Sequence, residues 1–185
     1  MSDKKPDSLD FKNRAYTVVP HDPKCAEWFL ILETQMEKVF EDCQPDMYHI
    51  GGTAVEGLPS QPILDMLIVV PDIHCLDRHL QDLKQFGYLI EHNYIGADTI
   101  LAFKEKGNTR LENIHVLPQG HKQIDDFLSV KNYWDAHPEE AEEYGELKIE
   151  LNKKYPKNYV SYRKERDIWL ETKKRKDIKP WSKKR

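Results

Sequence analysis

Apolar residues near the start of the chain recur at helical intervals, and those in the middle recur at strand intervals. Trp28 or Phe29, Leu32, Met36, and Val39 or Phe40 recur at three- or four-residue intervals, which lines one face of a helix. Asp22 and Pro23 open that helix as N-cap and first helical residue, and it closes near Cys43-Gln44-Pro45. A short strand over 16–19 precedes it. A second strand covers 47–50, and a loop punctuated by Gly and Pro runs from 51 to 62. Residues 63–70 follow as a strand that is apolar on both faces except at Asp65. Such a strand belongs inside a sheet covered on both sides.

A second helix over 76–86 stops at Gly87, and strands 99–104 and 110–117 flank a hairpin turn at Lys106-Gly107-Asn108. From 122 onward the spacing is helical, over 122–136, 138–154 and 157–176, with Pro138 and Pro156 at the breaks. The pattern predicts an α/β (α+β) fold, a small mixed sheet with flanking helices and a helical C-terminal half. It divides into a disordered start over 1–15, a core over 16–120, a helical subdomain over 121–170 and a basic tail over 171–185.

Composition narrows this reading. The 185 residues suffice to bury about 70% of the unfolded surface, so a core needs neither disulfide nor structural metal. Three cysteines, Cys25, Cys43 and Cys75, are an odd count without paired spacing, which argues against a disulfide framework or a zinc site. The absence of a long apolar run or signal-like start predicts a cytoplasmic protein with no membrane partner. Net charge is −4, yet residues 171–185 carry eight basic and two acidic side chains, leaving a strongly acidic body. That body argues against nucleic acid as a partner, since duplex binding rests on Lys and Arg neutralising phosphates. The tail reads either as an RNA or anionic-lipid contact or as a solvated helix end.

The chemistry concentrates between residues 48 and 65. A strand running into Gly51-Gly52-Thr53 presents bare N–H groups and a hydroxyl, a nest suited to phosphate oxygens; a tight turn uses the same letters. Asp65 stands alone in an apolar strand. An isolated buried carboxylate costs several kcal/mol, so it needs a partner or a metal.

This pairing of a Gly-Gly turn with a strand Asp resembles the nucleotidyltransferase superfamily, and within it the GrpB family, over about residues 16–170. The resemblance rests on Val18-Val19-Pro20-His21-Asp22-Pro23 with Trp28, on His49 through Leu58, on Pro62-Ile63-Leu64-Asp65, and on Tyr133 through Glu139 with Tyr144, Leu147 and Lys148. It implies a nucleotidyltransferase-like fold. It also implies a nucleotide (NTP) ligand or donor held with Mg²⁺ by Asp65, and transfer of a nucleotidyl or related group to a small molecule. Gly51, Gly52, Thr53, Lys131 and Lys148 would hold phosphate, and His115 would act with Asp65 as ligand or proton acceptor.

The sequence departs from that pattern at several points. The second carboxylate expected two residues after Asp65, on the same strand face, is Leu67. The family's His-aliphatic-His is Asn113-Ile114-His115, with Asn113 and His115 on one face and Arg110, Glu112 and Ile114 on the other. His115 reads equally as a site residue or a hydrogen-bonded core histidine. Lys131 and Lys148 read as phosphate ligands or as a solvated face paired with the Glu-rich segment 139–150. The late Tyr159 with Arg163 or Lys164 has no fixed register. These losses leave a second expectation open: a non-catalytic module that binds a nucleotide or coenzyme A, with dephospho-CoA kinase as a partner context implied by the family alone.

Overall fold

The computed structural model describes residues 14–179. The expectations for residues 1–13 and for the last six residues of the basic tail lie outside the described residues. Five strands form one sheet: β1 (Asp46–Ile50), β2 (Leu64–Val70), β3 (Leu89–His92), β4 (Ile100–Lys106) and β5 (Thr109–Pro118), in the order β1-β2-β5-β4-β3. β2 and β5 run parallel; the other neighbours are antiparallel. The mixed sheet, flanking helices and helical C-terminal half are as the pattern predicts.

Strand alternation sorts the core into two layers. Met66, Ile68 and Val70 of β2 join Ile114 and Val116 of β5 beneath α1 (Lys24–Val39) and α2 (Leu80–Gln85). α1 supplies Phe29, Leu32 and Met36 to that layer, with Phe40 just beyond its end, as the helical spacing requires. The helix starts at Lys24 with Pro23 at the N-cap, one residue later than expected, and Asp22 still accepts Lys24 N–H on its side chain at 2.9 Å. On the opposite face Leu67, Val69 and Leu117 pack under Ile124 and Leu128 of α3 (Lys122–Ala136). Fully burying one such side chain is worth about 1.5–3 kcal/mol. α4 (Pro138–Lys154) and α5 (Tyr159–Lys176) stack beyond α3 and seat Trp134, Ala141 and Tyr144 against Val55 and Leu58 of the loop after β1.

The differences have local causes. Residues 16–19 form no strand; two isolated bridges, Ala15 with Thr109 and Val19 with Ser60, tie this stretch down. The helix expected over 76–86 is a 3₁₀ turn, Ile73–Arg78, followed by the shorter α2. β3 escapes the pattern because it is a four-residue edge strand with exposed ends. The hairpin turn shortens to Gly107-Asn108, with Gly107 at φ +64°. Cys43 and Cys75 are joined as a disulfide, against the sequence expectation. Their separation of 32 residues hides the pairing, which arises because the 3₁₀ turns Glu41–Cys43 and Ile73–Arg78 pack together. In the described part of the basic tail the helix runs to Lys176 and most residues are exposed, while two lysines are tied to neighbouring acids. Lys173 pairs with Glu140 and Asp177, and Lys174 with Asp126 and Glu171. Among the described residues no helix is long and apolar enough to cross a membrane.

Candidate functional site

β1 ends at Ile50, directly beside Asp65 of β2, and the chain turns at Gly51. Gly51 adopts φ +76°, ψ −167°, a conformation essentially confined to glycine. A Cβ there would stand 2.5 Å from Asp65 Oδ2. Gly52 is also required, because its Cβ would meet Ser60 Cβ at 2.6 Å. The two glycines therefore let the turn close over the carboxylate and over the segment leading into β2.

Asp65 has the partner that its position demands. Parallel register sets Asn113 of β5 alongside it, and the Asn113 amide donates to Asp65 Oδ1 at 2.7 Å. Arg110 Nη1 donates to Asn113 Oδ1 at 2.9 Å, which fixes that amide with its NH₂ toward the carboxylate. Simple alternation assigned Arg110 to the opposite face. The register shift between Lys104 and Glu105 makes a bulge in β5: Glu112 pairs with Lys104 and Arg110 with Glu105. One extra residue turns Arg110 onto the Asn113 face. Glu112 points away as expected, to Tyr88 and Lys104. His115 Nε2 lies 3.7 Å from Asp65 Oδ1, and its Nδ1 meets the Tyr94 hydroxyl at 2.8 Å.

A cleft of about 480 Å³ opens between this corner of the sheet and the three C-terminal helices. Gly51, Gly52 and Asp65 line it, with Lys131 from α3, Lys148 from α4, and Tyr162, Arg163 and Arg166 from α5. Two of the sequence-predicted residues are outside its lining. Thr53 is buried and donates to the Ile63 carbonyl at 3.1 Å. It receives His49 Nε2 at 3.1 Å, so its hydroxyl ties the turn to β1 and is spent before any phosphate arrives. Burial holds His49 down to about 4, so it stays neutral against Phe29. His115 is packed between Tyr94 and Phe127.

The charges lining the cleft are mostly matched. Lys131 is paired with Asp135, as its helical spacing of four allows. Asp167 receives both Arg163, at 3.3 Å, and Arg166, at 2.6 Å. Lys148 differs. It is 4% exposed, its Nζ lies 4.7 Å from the Tyr144 ring centroid, and no carboxylate among the described residues pairs with it. Burial, and then the Arg166 charge, push its ammonium down to about 7. Gly145 holds it there: a Cβ at 145 would meet Pro59 Cδ at 2.7 Å, so α4 lies against the loop and Lys148 reaches the Gly52 turn.

The residues around Asp65 do not fit the expected Mg²⁺ centre. Mg²⁺ demands several oxygen ligands in octahedral array. The position for a second carboxylate is Leu67, fully buried under α3. Asp65 Oδ1 already accepts from the Asn113 amide, and no group of three metal-ligating side chains surrounds it among the described residues.

Sequence reasoning missed Tyr162 and Arg166 and left Arg163 without a register. The signal was present in the three- and four-residue spacing of Tyr159, Tyr162, Arg163, Arg166 and Leu170, one helix face on which arginines interrupt aromatic and apolar residues.

Comparison with known proteins fits this fold. The chain is 30% identical over 174 residues to UPF0157 protein YqkA of Bacillus subtilis, covering 94% of this chain and half of that protein. It is 28% identical to UPF0157 protein PA4798 of Pseudomonas aeruginosa, covering 81% of this chain and 62% of its relative, so the chain spans only part of both. The crystal structure of GrpB from Enterococcus faecalis superposes with a TM-score of 0.79 at 23% identity, covering 84% of this chain and 93% of that one. The family model described as GrpB protein matches residues 15–176, and the chain belongs to the GrpB family.

Proposed function

We propose that this protein binds a phosphate-bearing ligand of nucleotide size in the cleft, as a binding module that does not depend on a resident metal. The volume falls within the ~300–1,000 Å³ of small-molecule sites. Lys148 carries the reading: an amine buried with no acid beside it among the described residues, its Nζ next to the Gly52 turn that lines the cleft. Burying such a group is costly, and an incoming phosphate would supply the missing counter-charge. Arg163 and Arg166, held in place by Asp167, would add planar donors suited to phosphate oxygens.

Asp65 in this reading is a structural carboxylate that shapes the turn. The alternative, nucleotidyl transfer with Asp65 on Mg²⁺, would leave that carboxylate only Oδ2 as a ligand while the Asn113 amide holds Oδ1. Thermal shift with ATP, GTP, CTP, UTP and coenzyme A, each with and without Mg²⁺, separates the two. A ligand at about 100 times its dissociation constant adds about 2.7 kcal/mol. The binding module predicts a shift of the same size in either condition. A shift seen only with Mg²⁺ would favour the transferase, and no shift with any ligand would remove both.

A further inference from the structure

At the far end of the sheet from Gly51, where α1 stops, a second cluster joins two turns. His79 Nε2 lies 2.7 Å from Asp42 Oδ1, and Cys43 Sγ completes a group whose donor atoms are all within 4.8 Å of one another. The same Cys43 sulfur is joined to Cys75, which is four residues before His79. One sulfur, an imidazole nitrogen and a carboxylate oxygen therefore converge on one point, and the Cys75 sulfur, bonded to Cys43, stands beside them and is free to turn inward once the bond is reduced. This is a donor set that zinc accepts in tetrahedral array, at about 2.0–2.3 Å from each ligand.

We propose that, with the disulfide reduced, Cys43, Cys75, His79 and Asp42 bind one Zn²⁺ ion. The surroundings suit this role. The His79 ring packs edge-on against Phe40, with centroids 5.7 Å apart, which limits its rotation. Its other nitrogen, Nδ1, lies 3.6 Å from Asp82. A carboxylate behind a histidine is the outer contact that orients metal-bound imidazoles. Cys43 is buried while the Asp42 side chain is about half exposed, so an ion can enter from the Asp42 side. Arg78 holds the other Asp42 oxygen at 3.2 Å, leaving Oδ1 aimed at the cluster.

The chemistry balances with a dithiol reductant. Its two thiols give two electrons and two protons to the Cys43–Cys75 bond, yielding two cysteine thiols and an oxidised, cyclic disulfide. Zn²⁺ then displaces the two thiol protons to solvent, and His79 binds through neutral Nε2. Disulfides are rare in reducing compartments, where the pair stands as thiols and the metal form would hold. Oxidation would eject the ion and restore the bond.

The test titrates Co²⁺ and then Zn²⁺ into the reduced full-length protein, freed of reductant under anaerobic conditions. Expected are tetrahedral cobalt bands with thiolate charge-transfer absorption at one metal per chain, bleached by Zn²⁺. The oxidised wild-type protein, identical in sequence, should show none. Cys25→Ser should behave as wild type, because Cys25 is remote and buried in α1. Cys75→Ser should weaken binding at least 100-fold, and Asp82→Asn about 10-fold. Equal cobalt spectra from oxidised and reduced protein, or an unchanged spectrum in Cys75→Ser, would overturn the proposal. So would binding lost in Cys25→Ser but kept in Cys75→Ser.

Discussion

Asp65 and Lys148 line one cleft, and each is a charged side chain set among apolar neighbours, yet their surroundings are opposite. Asp65 is met from within the fold by the Asn113 amide, itself held by Arg110, with His115 nearby. Lys148 meets an aromatic ring and the Arg166 charge and, among the described residues, no acid. One charge is answered by the fold and shapes it. The other is left for something outside the fold to answer. The difference separates a structural carboxylate from a binding amine, although both were candidates on the same evidence of sequence.

The largest effect should come from forcing the Asp65 side apart. Gly51→Ala adds a Cβ 2.5 Å from Asp65 Oδ2 in a conformation that alanine avoids. Urea unfolding should show a loss of about 2–4 kcal/mol. Unchanged stability would mean that the turn moves freely and does not clamp the carboxylate.

The Lys148 side should respond in the opposite way. Lys148→Met keeps the stem and removes the buried ammonium, so the free protein should be as stable as wild type, or more so, at neutral pH. Affinity for the phosphate ligand should fall about 100-fold, the effect of losing a hydrogen-bonded charge partner worth about 2–3 kcal/mol. The pH dependence follows from the direction of the shift. Folding lowers this amine from 10.5 to about 7, so between those values the unfolded chain binds the extra proton. Stability from this residue therefore rises with pH across that window and is lost as pH falls toward 7. Ligand affinity should run the other way, weakening as pH climbs above about 7, with proton uptake on binding visible by calorimetry in buffers of different ionisation enthalpy. A flat affinity profile from pH 6 to 9 would remove Lys148 from the site.

A smaller effect sharpens the contrast. Asp65→Asn retains an oxygen for the Asn113 amide and loses only the charge, which should cost about 1 kcal/mol. The ligand's dissociation constant should stay within about threefold, since this charge faces the fold. A Mg²⁺-dependent loss of binding in this variant would reinstate Asp65 as a metal ligand.

Much of this architecture was legible in the sequence because its carriers are periodic. The spacing of Phe29, Leu32 and Met36 outlines α1, the apolar run around Asp65 marks an interior strand, and Pro138 starts α4 where expected. The Gly51 turn was legible too, since two glycines after a strand have few other uses. What stayed hidden depends on register and distance. A single bulged residue moved Arg110 to the other face of β5, and alternation cannot show a bulge. Thr53 looked like a phosphate donor because its letters allow it; only the fold shows that Ile63 and His49 already occupy its hydroxyl. Cys43 and Cys75 meet through tertiary packing alone.

Tyr162 offers the finest test of the comparison. Its ring is fully buried at the cleft wall, and its hydroxyl makes no hydrogen bond of normal geometry. Burial raises the phenol well above its usual range, so it is a neutral donor at neutral pH. An unsatisfied buried hydroxyl destabilises the free protein, so Tyr162→Phe should leave stability unchanged or raise it by up to about 1 kcal/mol. If the hydroxyl is kept for the ligand, as Lys148 is, the same variant should bind about five- to tenfold more weakly, the worth of one hydrogen bond. Gained stability with lost affinity would place Tyr162 with Lys148 among the groups the fold leaves unanswered. Lost stability with unchanged affinity would place it with Asp65, as a group the fold already satisfies, and the cleft's affinity would then rest on its cations alone.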